Sequence, residues 1–434
     1  MAFALKLSKL LRLGLFQLSA GMVSVLLLGM LNRVLVIELG MSLFAVSLMV
    51  GGGHYLGALI SIPIGHLSDR YSWHGYHRLP FLVIGTIFIG LLTALAPFLG
   101  IWVAQDASPA RISLGFLYFA IQGIATYTAG TVFLSLITDL TDQETRGRAV
   151  GLIWTLLMVG ILVGVFIGVT MLEVYTFNGL VNTFILVSGL VWLLATIALW
   201  RQERPRSRPK TDPLSLSQGI KLLWSSRQTR LFFLLLVISL FAYFMQDVVL
   251  EPFGGQVFGL DVSQTTRFNA YMMVGVIGGI LGGGFKLITW WGKKRIALLG
   301  AIFLSLGFAL LAMVSIGQII TLVTTAIFMV GLGMGLFTAG SVALMMDMTL
   351  SGQAGLFAGA WTLATALAKL PASISGGLIH QVVFNLSQSQ PLAYGAVFAV
   401  ESLGLIISIY FLRQITVTEF RHEVSPENML AALD

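Results

Sequence analysis

The chain contains no cysteine among its 434 residues. This absence excludes disulfide bonds, thiolate metal sites and cysteine nucleophiles, and it leaves the redox state of the compartment open. Charged residues are also scarce, at 10% of the chain, whereas soluble proteins carry about 25%. With 57% hydrophobic residues and a mean hydropathy of +0.92, the sequence predicts an integral membrane protein.

The motifs of several enzyme classes are missing as well. The sequence has no Gly-x-x-x-x-Gly-Lys-Ser/Thr phosphate loop, which argues against ATP as a partner. No Ser-His-Asp arrangement and no histidine cluster with metal-ligand spacing stands out. We therefore expect a protein that is not an enzyme and that binds neither ATP nor a metal ion directly.

Long apolar segments recur along the whole chain. Each is close to the ~20 residues that an α-helix needs to cross a bilayer, so we expect an all-α membrane protein with twelve transmembrane helices. No small-x-small cleavage site follows the first segment, which we interpret as a helix rather than a signal peptide. The predicted spans are 13–37, 43–66, 80–103, 113–138, 148–171, 180–200, 230–250, 268–290, 296–316, 319–345, 354–380 and 391–412.

Lysine and arginine concentrate on one predicted side of the membrane. The termini and the even-numbered loops hold most of them, whereas the other side has only Arg33, Arg111 and Arg267. By the positive-inside rule, both termini are predicted to be cytoplasmic. The net charge of +7 therefore reflects topology, and we expect no nucleic-acid partner.

One long polar connection divides the twelve spans into six and six. It predicts an N-terminal six-helix bundle at 1–200, a basic cytoplasmic linker at 201–229, a C-terminal six-helix bundle at 230–413 and a cytoplasmic tail at 414–434. Within the linker, residues 213–224 have the pattern of a short amphipathic helix on the membrane surface. Anionic lipid headgroups are the expected partner of this linker.

Matched loops in the two halves indicate an internal repeat. Two glycines and an arginine recur with the same spacing after the second span of each half: Gly65, Gly75 and Arg78, then Gly282, Gly292 and Arg295. Four more residues recur after the fourth span at a constant offset of 208: Asp139, Thr141, Gly147 and Gly151, then Asp347, Thr349, Gly355 and Gly359. The sequence therefore predicts two pseudo-symmetric six-helix bundles.

The end of the seventh predicted span has an unusual composition. Asp247 and Glu251 are four residues apart, a spacing that places both on one face of a helix. Pro252 is expected to end this helix, and Gly254 and Gly255 are expected to allow a sharp turn. Because carboxylates in a membrane are costly, we expect a structural or gating role for both acids. A solvated helix end is the alternative.

Several motifs resemble the major facilitator superfamily. The loop after span two reads Gly65-His-Leu-Ser-Asp-Arg-Tyr71, and the loop after span four reads Asp142-Gln-Glu-Thr-Arg-Gly-Arg-Ala-Val-Gly151. A third block, Leu250-Glu-Pro-Phe-Gly-Gly-Gln-Val-Phe-Gly259, closely resembles one branch, the PucC or bacteriochlorophyll delivery family. That branch includes LhaA-type light-harvesting assembly proteins and cyanobacterial PucC-like proteins. The resemblance covers residues 10–412 and implies the superfamily's fold.

This resemblance also implies a function and a location. It implies an assembly factor for chlorophyll-binding light-harvesting or photosystem proteins, in a photosynthetic membrane that is either the thylakoid or an intracytoplasmic or plasma membrane. It further implies binding or delivery of chlorophyll or bacteriochlorophyll, with carotenoid or lipid as further ligands. Two alternatives stay open: a proton-coupled secondary transporter of an amphipathic small molecule, and a pigment-free scaffold that docks antenna subunits.

A chlorophyll ligand set needs an imidazole or oxygen donor for the magnesium ion, beside an apolar slot. Residues of this kind in or at the ends of the predicted spans are His54, Gln122, Gln246 and His380. His54 lies in Gly51-Gly-Gly-His-Tyr55, where small residues would let a flat ring approach the backbone. An interhelical hydrogen bond at a glycine-rich crossing is the alternative for His54, and it is the favoured interpretation for the glutamines.

Charges in the predicted spans need a partner or a water-filled cavity. Lys369 in span eleven is expected to pair with Asp247 or Glu251, and Arg33 with Glu38 near the outer end of span one. Charges in the cytoplasmic loops are interpreted as a latch that favours one conformation, by analogy with the superfamily. The latch residues are Asp69, Arg70, Arg78, Asp139, Arg146 and Arg148.

Overall fold

The computed structural model describes residues 7–71, 73, 75–141, 143–203, 227–283, 287–347, 354–416, 418 and 419. For 62–70, 143–148, 347 and 354–362 it describes the backbone alone. The predicted amphipathic helix at 213–224 lies outside these ranges, as does most of the tail. Within them the chain is helical, with one isolated β-bridge between Trp73 and Tyr76.

The first half contains eight α-helical segments in its described residues. They are α1 Leu7–Ser24, α2 Asn32–Ile37, α3 Leu43–Val46, α4 Gly53–Arg70, α5 Leu79–Ala104, α6 Pro109–Leu140, α7 Gln143–Met171 and α8 Phe177–Leu199. π-helical segments, Val25–Leu31 and Ser47–Gly52, join α1 to α2 and α3 to α4. The first two predicted spans are therefore continuous helices with a wider turn in the middle.

The described part of the second half also contains eight α-helical segments. They are α9 Arg227–Phe244, α10 Leu250–Phe258, α11 Val262–Gly282, α12 Ile288–Trp291, α13 Lys293–Gly317, α14 Val323–Asp347, α15 Ala354–Ser387 and α16 Gln390–Gln414. Short 3₁₀ segments, Met245–Val248 and Ile320–Leu322, precede α10 and α14.

Ten helical stretches among the described residues are long and apolar enough to cross a bilayer. They correspond to predicted spans one to seven, nine, ten and twelve. Span eight corresponds to α11, which has 21 residues, and span eleven to α15, which has 34. The prediction of an all-α membrane protein is therefore confirmed.

Glycines set the closest helix crossings of the first half. A Cβ at Gly57 of α4 would lie 2.1 Å from the carbonyl carbon of Gly123 in α6. Similarly, a Cβ at Gly160 of α7 would lie 2.0 Å from the carbonyl oxygen of Leu18 in α1. Because small residues let helix backbones approach this closely, these crossings fix α4 on α6 and α1 on α7.

The chain forms two compact units that do not follow chain order alone. The first unit comprises Met1–Arg208, Gln246–Met273 and Ser373–Ala393. The second comprises Pro209–Met245, Val274–Ala372 and Tyr394–Asp434. Two segments from the second half of the sequence therefore belong to the first unit. The expected division into bundles at 1–200 and 230–413 stays a prediction.

The backbone preserves a trace of the internal repeat. Gly75 and Gly292, which the sequence matches to each other, have φ angles of +80° and +82°. In each half, the glycine lies shortly before the helix of the third span. Gly75 precedes α5, which begins at Leu79, and Gly292 precedes α13, which begins at Lys293. Since glycine adopts positive φ without a steric penalty, both loops retain a local geometry that requires this residue type.

Candidate functional site

The helix of span seven breaks earlier than the sequence predicts. Regular α-helix ends at Phe244, a 3₁₀ segment follows over Met245–Val248, and α10 begins at Leu250. Pro252 lies in the first turn of α10. The expectation that Pro252 ends the helix is wrong, because a proline in a first turn removes an N–H that has no intrahelical partner.

The two glycines after Pro252 serve packing rather than a turn. Both lie inside α10, and a Cβ at Gly254 would lie 2.6 Å from the ring of Phe268 in α11. A Cβ at Gly255 would lie 2.9 Å from Ile37 of α2. The chain turns instead at Gly259, whose φ is +67°. These glycines therefore let α10 fit closely against α2 and α11.

Asp247 and Glu251 contact different elements, since the 3₁₀ segment interrupts the helix that would align them. Asp247 accepts a hydrogen bond at Oδ2 from the Tyr55 hydroxyl of α4, at 2.6 Å. Its Oδ1 accepts a second from Gln246 Nε2, at 2.8 Å. Asp247 thus links the end of span seven to span two.

Glu251 is buried between α11 and the π segment of span one. Its Oε1 accepts from Asn269 Nδ2 at 2.6 Å, and its Oε2 accepts from Thr266 Oγ1 at 3.2 Å. The side chain is only 3% exposed. Gly29 provides the space for it, because a Cβ there would lie 2.1 Å from Oε1. The Glu251 carboxyl group therefore fills the space beside Gly29, where α11 meets the π segment of span one.

Arg33 closes the same junction from α2. Its Nη1 donates to Glu38 Oε1 at 2.7 Å, and its Nη2 donates to the carbonyl oxygen of Leu260 at 2.7 Å. The guanidinium is also an electrostatic neighbour of Glu251. Asn32, beside it, donates to the carbonyl oxygen of Val248. The Arg33–Glu38 ion pair is present, and its gating role stays a prediction.

We refer to these residues as the Glu251 cluster. It comprises Asn32, Arg33, Glu38, Glu251, Thr266 and Asn269 with the backbone of Val248 and Leu260. Sequence reasoning identified Arg33, Glu38 and Glu251 but missed the three neutral members. The available signal was a polar side chain at the end of an apolar run, which needs a buried partner.

His54 and Gln122, two of the predicted pigment ligands, are bonded to each other. His54 Nδ1 lies 2.6 Å from Gln122 Oε1, and Gln122 Nε2 donates to Thr126 Oγ1 at 3.2 Å. The small residues nearby do not leave a slot, because a Cβ at Gly123 would lie 2.0 Å from the carbonyl oxygen of His54. The backbone of α6 fills that space. The geometry is that of an interhelical hydrogen bond, and pigment ligation stays a prediction.

The two residues singled out in span eleven, His380 and Lys369, also have partners. His380 Nε2 lies 2.9 Å from Gln390 Oε1, which joins the end of α15 to the start of α16. Lys369 Nζ lies 3.9 Å from the centre of the Phe244 ring, within range of a cation–π interaction. Pairing of Lys369 with Asp247 or Glu251 stays a prediction.

The structure describes the side chains of two residues of the predicted cytoplasmic latch, Arg78 and Asp139. Arg78 is 3% exposed, and its Nε lies 3.2 Å from Asp139 Oδ2 at the end of α6. Side chains of the other four predicted members lie outside the described residues, so their role stays a prediction. They are Asp69, Arg70, Arg146 and Arg148.

Glu203 is a residue of this region that sequence reasoning missed. Its Oε1 accepts from the backbone N–H of His77 at 2.8 Å, and its Oε2 accepts from that of Leu79 at 2.7 Å. The Arg78 N–H also points to this carboxylate, at 3.0 Å from Oε2. An acid here caps the start of α5, where helix N–H groups lack partners and the dipole favours negative charge.

A further carboxylate, Glu401, is fully buried in α16. It is the only acidic residue in predicted span twelve, which is the signal that would have identified it. Among the residues that the structure describes, no group of three or more His, Cys, Asp or Glu side chains is placed to hold a metal ion.

Comparison with known proteins gives a family match over most of the chain. The family model described as PUCC protein matches residues 30–420. A curated relative, Protein PucC of Cereibacter sphaeroides, is 32% identical over 437 residues, covering 94% of this chain and 93% of its own. A protein from the puhA-bchM intergenic region of Rhodobacter capsulatus is 31% identical, covering 93% and 87%. The Bacteriochlorophyll synthase 44.5 kDa chain of that species is 29% identical, covering 92% of each.

Solved transporter structures share the fold at low sequence identity. A bacterial homolog to the human lysosomal transporter Spinster has a TM-score of 0.69 at 15% identity, covering 95% of this chain and 96% of its own. The D-xylose-proton symporter also has a TM-score of 0.69, at 13% identity, covering 94% and 97%. These likenesses show the fold alone, and the predicted major facilitator fold is confirmed.

Proposed function

The chain belongs to the PUCC protein family, and on this premise we propose that it is an assembly factor for chlorophyll-binding light-harvesting or photosystem proteins. The observation that carries the proposal is the family match over residues 30–420, which includes every residue of the Glu251 cluster. Relatives named Protein PucC and Bacteriochlorophyll synthase 44.5 kDa chain support a role linked to photosynthesis.

The proposed location is a photosynthetic membrane, with both termini on the cytoplasmic side. The apolar helical stretches support insertion into a bilayer. The excess of lysine and arginine in the termini and even-numbered loops supports the orientation.

In this proposal, the predicted ligand residues do not coordinate the pigment. The surroundings of His54 do not fit a chlorophyll ring, because the side chain is buried against the rings of Tyr55 and Tyr127 and the backbones of α4 and α6 touch at Gly123. At His380, Gln390 engages Nε2 and the Phe384 ring stacks at a centroid distance of 6.1 Å. We therefore propose that the chain acts on pigment-protein subunits through its membrane-facing helices, and that these subunits carry the chlorophyll.

Gene deletion in the photosynthetic host tests this function. We expect membranes of the deletion strain to lose the absorption bands of one chlorophyll-protein complex, while free pigment is still made. A plasmid copy of the wild-type chain should restore the bands. If all chlorophyll-protein complexes accumulate normally without the chain, the proposed function is wrong.

Proton-coupled transport of an amphipathic small molecule is the second candidate function. The fold shared with the D-xylose-proton symporter and the buried carboxyl group of Glu251 both favour it. Proteoliposomes with an imposed pH gradient and a labelled porphyrin as probe provide the test. Uptake that requires the gradient and disappears in Glu251→Gln would support transport. Equal porphyrin uptake by empty liposomes would exclude transport of this probe.

A further inference from the structure

Span two changes from α-helix to π-helix over Ser47–Gly52 and returns to α-helix at Gly53. The Gly53 N–H donates to the carbonyl oxygen of Leu48, five residues earlier. Because an α-helix bonds each N–H four residues back, this π turn holds one additional residue. The additional residue changes which side chains share a face of span two.

The start of the π segment contacts span eleven. Ser373 of α15 donates from Oγ to the carbonyl oxygen of Ser47 at 3.3 Å. A Cβ at Gly377, one turn further along α15, would lie 2.6 Å from Ser47 Oγ. Ser47 is fully buried. It therefore lies on the face of span two that packs against α15.

The part of span two that follows the π segment contacts span seven. Tyr55 is fully buried, and its hydroxyl donates to Asp247 in the 3₁₀ segment. One turn before Tyr55, a Cβ at Gly51 would lie 2.9 Å from Cγ1 of Val248. Span two thus contacts two helices of the second half, span eleven at Ser47 and span seven at Tyr55.

The π form points Ser47 and Tyr55 in nearly the same direction. Residues eight apart in a regular α-helix differ by about 80° around the axis, because each residue turns the helix by about 100°. With one residue absorbed by the π turn, this difference falls to about 20°. An α-helix over 47–52 would therefore turn Ser47 by about 100° relative to Tyr55, and the two contacts could not both persist.

We propose that Ser47–Gly52 is an α/π switch that makes the contacts of span two with spans seven and eleven form and break together. The π form satisfies both contacts. Loss of either contact lets the segment return to the α form, which is the usual form of a helix, and the rotation then removes the other contact. An element with two discrete states couples distant contacts in this way. The proposal does not depend on the assembly function.

Thiol labelling tests the switch, because the chain has no cysteine of its own. A single Ser47→Cys reporter keeps the carbonyl that accepts from Ser373, and the purified full chain is labelled with a water-soluble maleimide. Tyr55→Phe removes the hydrogen bond to Asp247. We expect it to increase the labelling rate of the distant thiol about tenfold, the factor that corresponds to about 1.4 kcal/mol for one hydrogen bond.

Tyr118→Phe is the matched control for this substitution. It removes a hydroxyl that donates to the carbonyl oxygen of Leu92 in α5, so it should leave the labelling rate of the Ser47→Cys reporter unchanged. Equal acceleration by the two phenylalanine variants would overturn the proposal, since it would indicate general loosening of the first half. An unchanged rate in Tyr55→Phe would overturn it as well.

Deletion of Leu48 is an independent test. Leu48 is the one residue of the π segment that is not buried, and without it a regular α-helix keeps Ser47 and Tyr55 about 20° apart. We expect this deletion variant to fold, to be labelled slowly and to lose the tenfold response to Tyr55→Phe. Deletion of Leu56, in the regular α-helix of α4, is the control and should prevent folding. A response that survives deletion of Leu48, or a Leu48 deletion that unfolds the chain as the control does, would overturn the proposal.

Discussion

Two carboxylates of the first compact unit hold helices together in different ways. Glu251 is buried and accepts hydrogen bonds from the side chains of Thr266 and Asn269. Glu203 is only partly buried and accepts from the backbone N–H groups of residues 77–79. A backbone partner requires no particular side chain, so the contacts of Glu203 leave little trace in the sequence. Glu251, in contrast, requires three particular neighbours. They are the side chains of Thr266 and Asn269, and Gly29, which leaves room for the carboxyl group.

Burial also sets the energetic consequence of losing each contact. A buried polar group that loses its partner costs about 1–3 kcal/mol, because water cannot replace the bond. Near the surface, water substitutes for much of what is lost. Changes in the Glu251 cluster should therefore destabilise the protein more than changes at Glu203.

The largest effect is expected for Arg33→Met. This change removes the donor to the Leu260 carbonyl and the partner of Glu38, so we expect a loss of about 3 kcal/mol in the free energy of unfolding. Arg111→Met is the matched control, since its partner Asp106 is 63% exposed and lies 3.7 Å away. Detergent unfolding titrations of both variants give the comparison. Equal losses would show that burial of Arg33 has no energetic importance.

A smaller effect is expected for Gly29→Ala. The new methyl group would occupy the position of Glu251 Oε1, so the carboxyl must move away from Asn269, at a cost of about 2 kcal/mol. Gly189→Ala, in α8, meets open space and should be neutral or slightly stabilising. Unfolding titrations of the two alanine variants measure the difference. A neutral Gly29→Ala would contradict the close fit described for Glu251.

The smallest effect is expected for Glu203→Gln. The amide can still accept one backbone hydrogen bond, so we expect a loss of about 1 kcal/mol from the weakened cap of α5. Hydrogen exchange at the backbone amides of residues 77–79 should become faster. Glu173→Gln, at an exposed loop position, serves as the control. If exchange at 77–79 is unchanged, Glu203 does not cap this helix in solution.

Local patterns in the sequence predicted much of the fold. Hydropathy alone located the helices, and the positions of Arg33 and Glu38 suggested an ion pair that the structure contains. The matched spacing of Gly75 and Gly292 is accompanied by a positive φ angle at both glycines. These features depend on residues close in sequence or on a repeated spacing, so a single sequence carries them.

The rest depends on how helices cross. Asn269 is 18 residues from Glu251, and Tyr55 is 192 residues from Asp247, so neither pairing follows from a periodic pattern. The 3₁₀ segment before α10 is a second example. Pro252 indicated a break in the helix. The packing of α10 against α2 and α11 determines that this break lies before the proline and not after it.

The absorption spectrum of membranes carrying Glu251→Gln tests most directly whether the Glu251 cluster serves the proposed assembly function. The variant replaces the wild-type chain in the photosynthetic host, and an immunoblot normalises the spectrum to the amount of chain in the membrane. The account predicts fewer chlorophyll-protein complexes per chain than with the wild type or with Glu173→Gln. Unchanged complexes at equal chain abundance would contradict it.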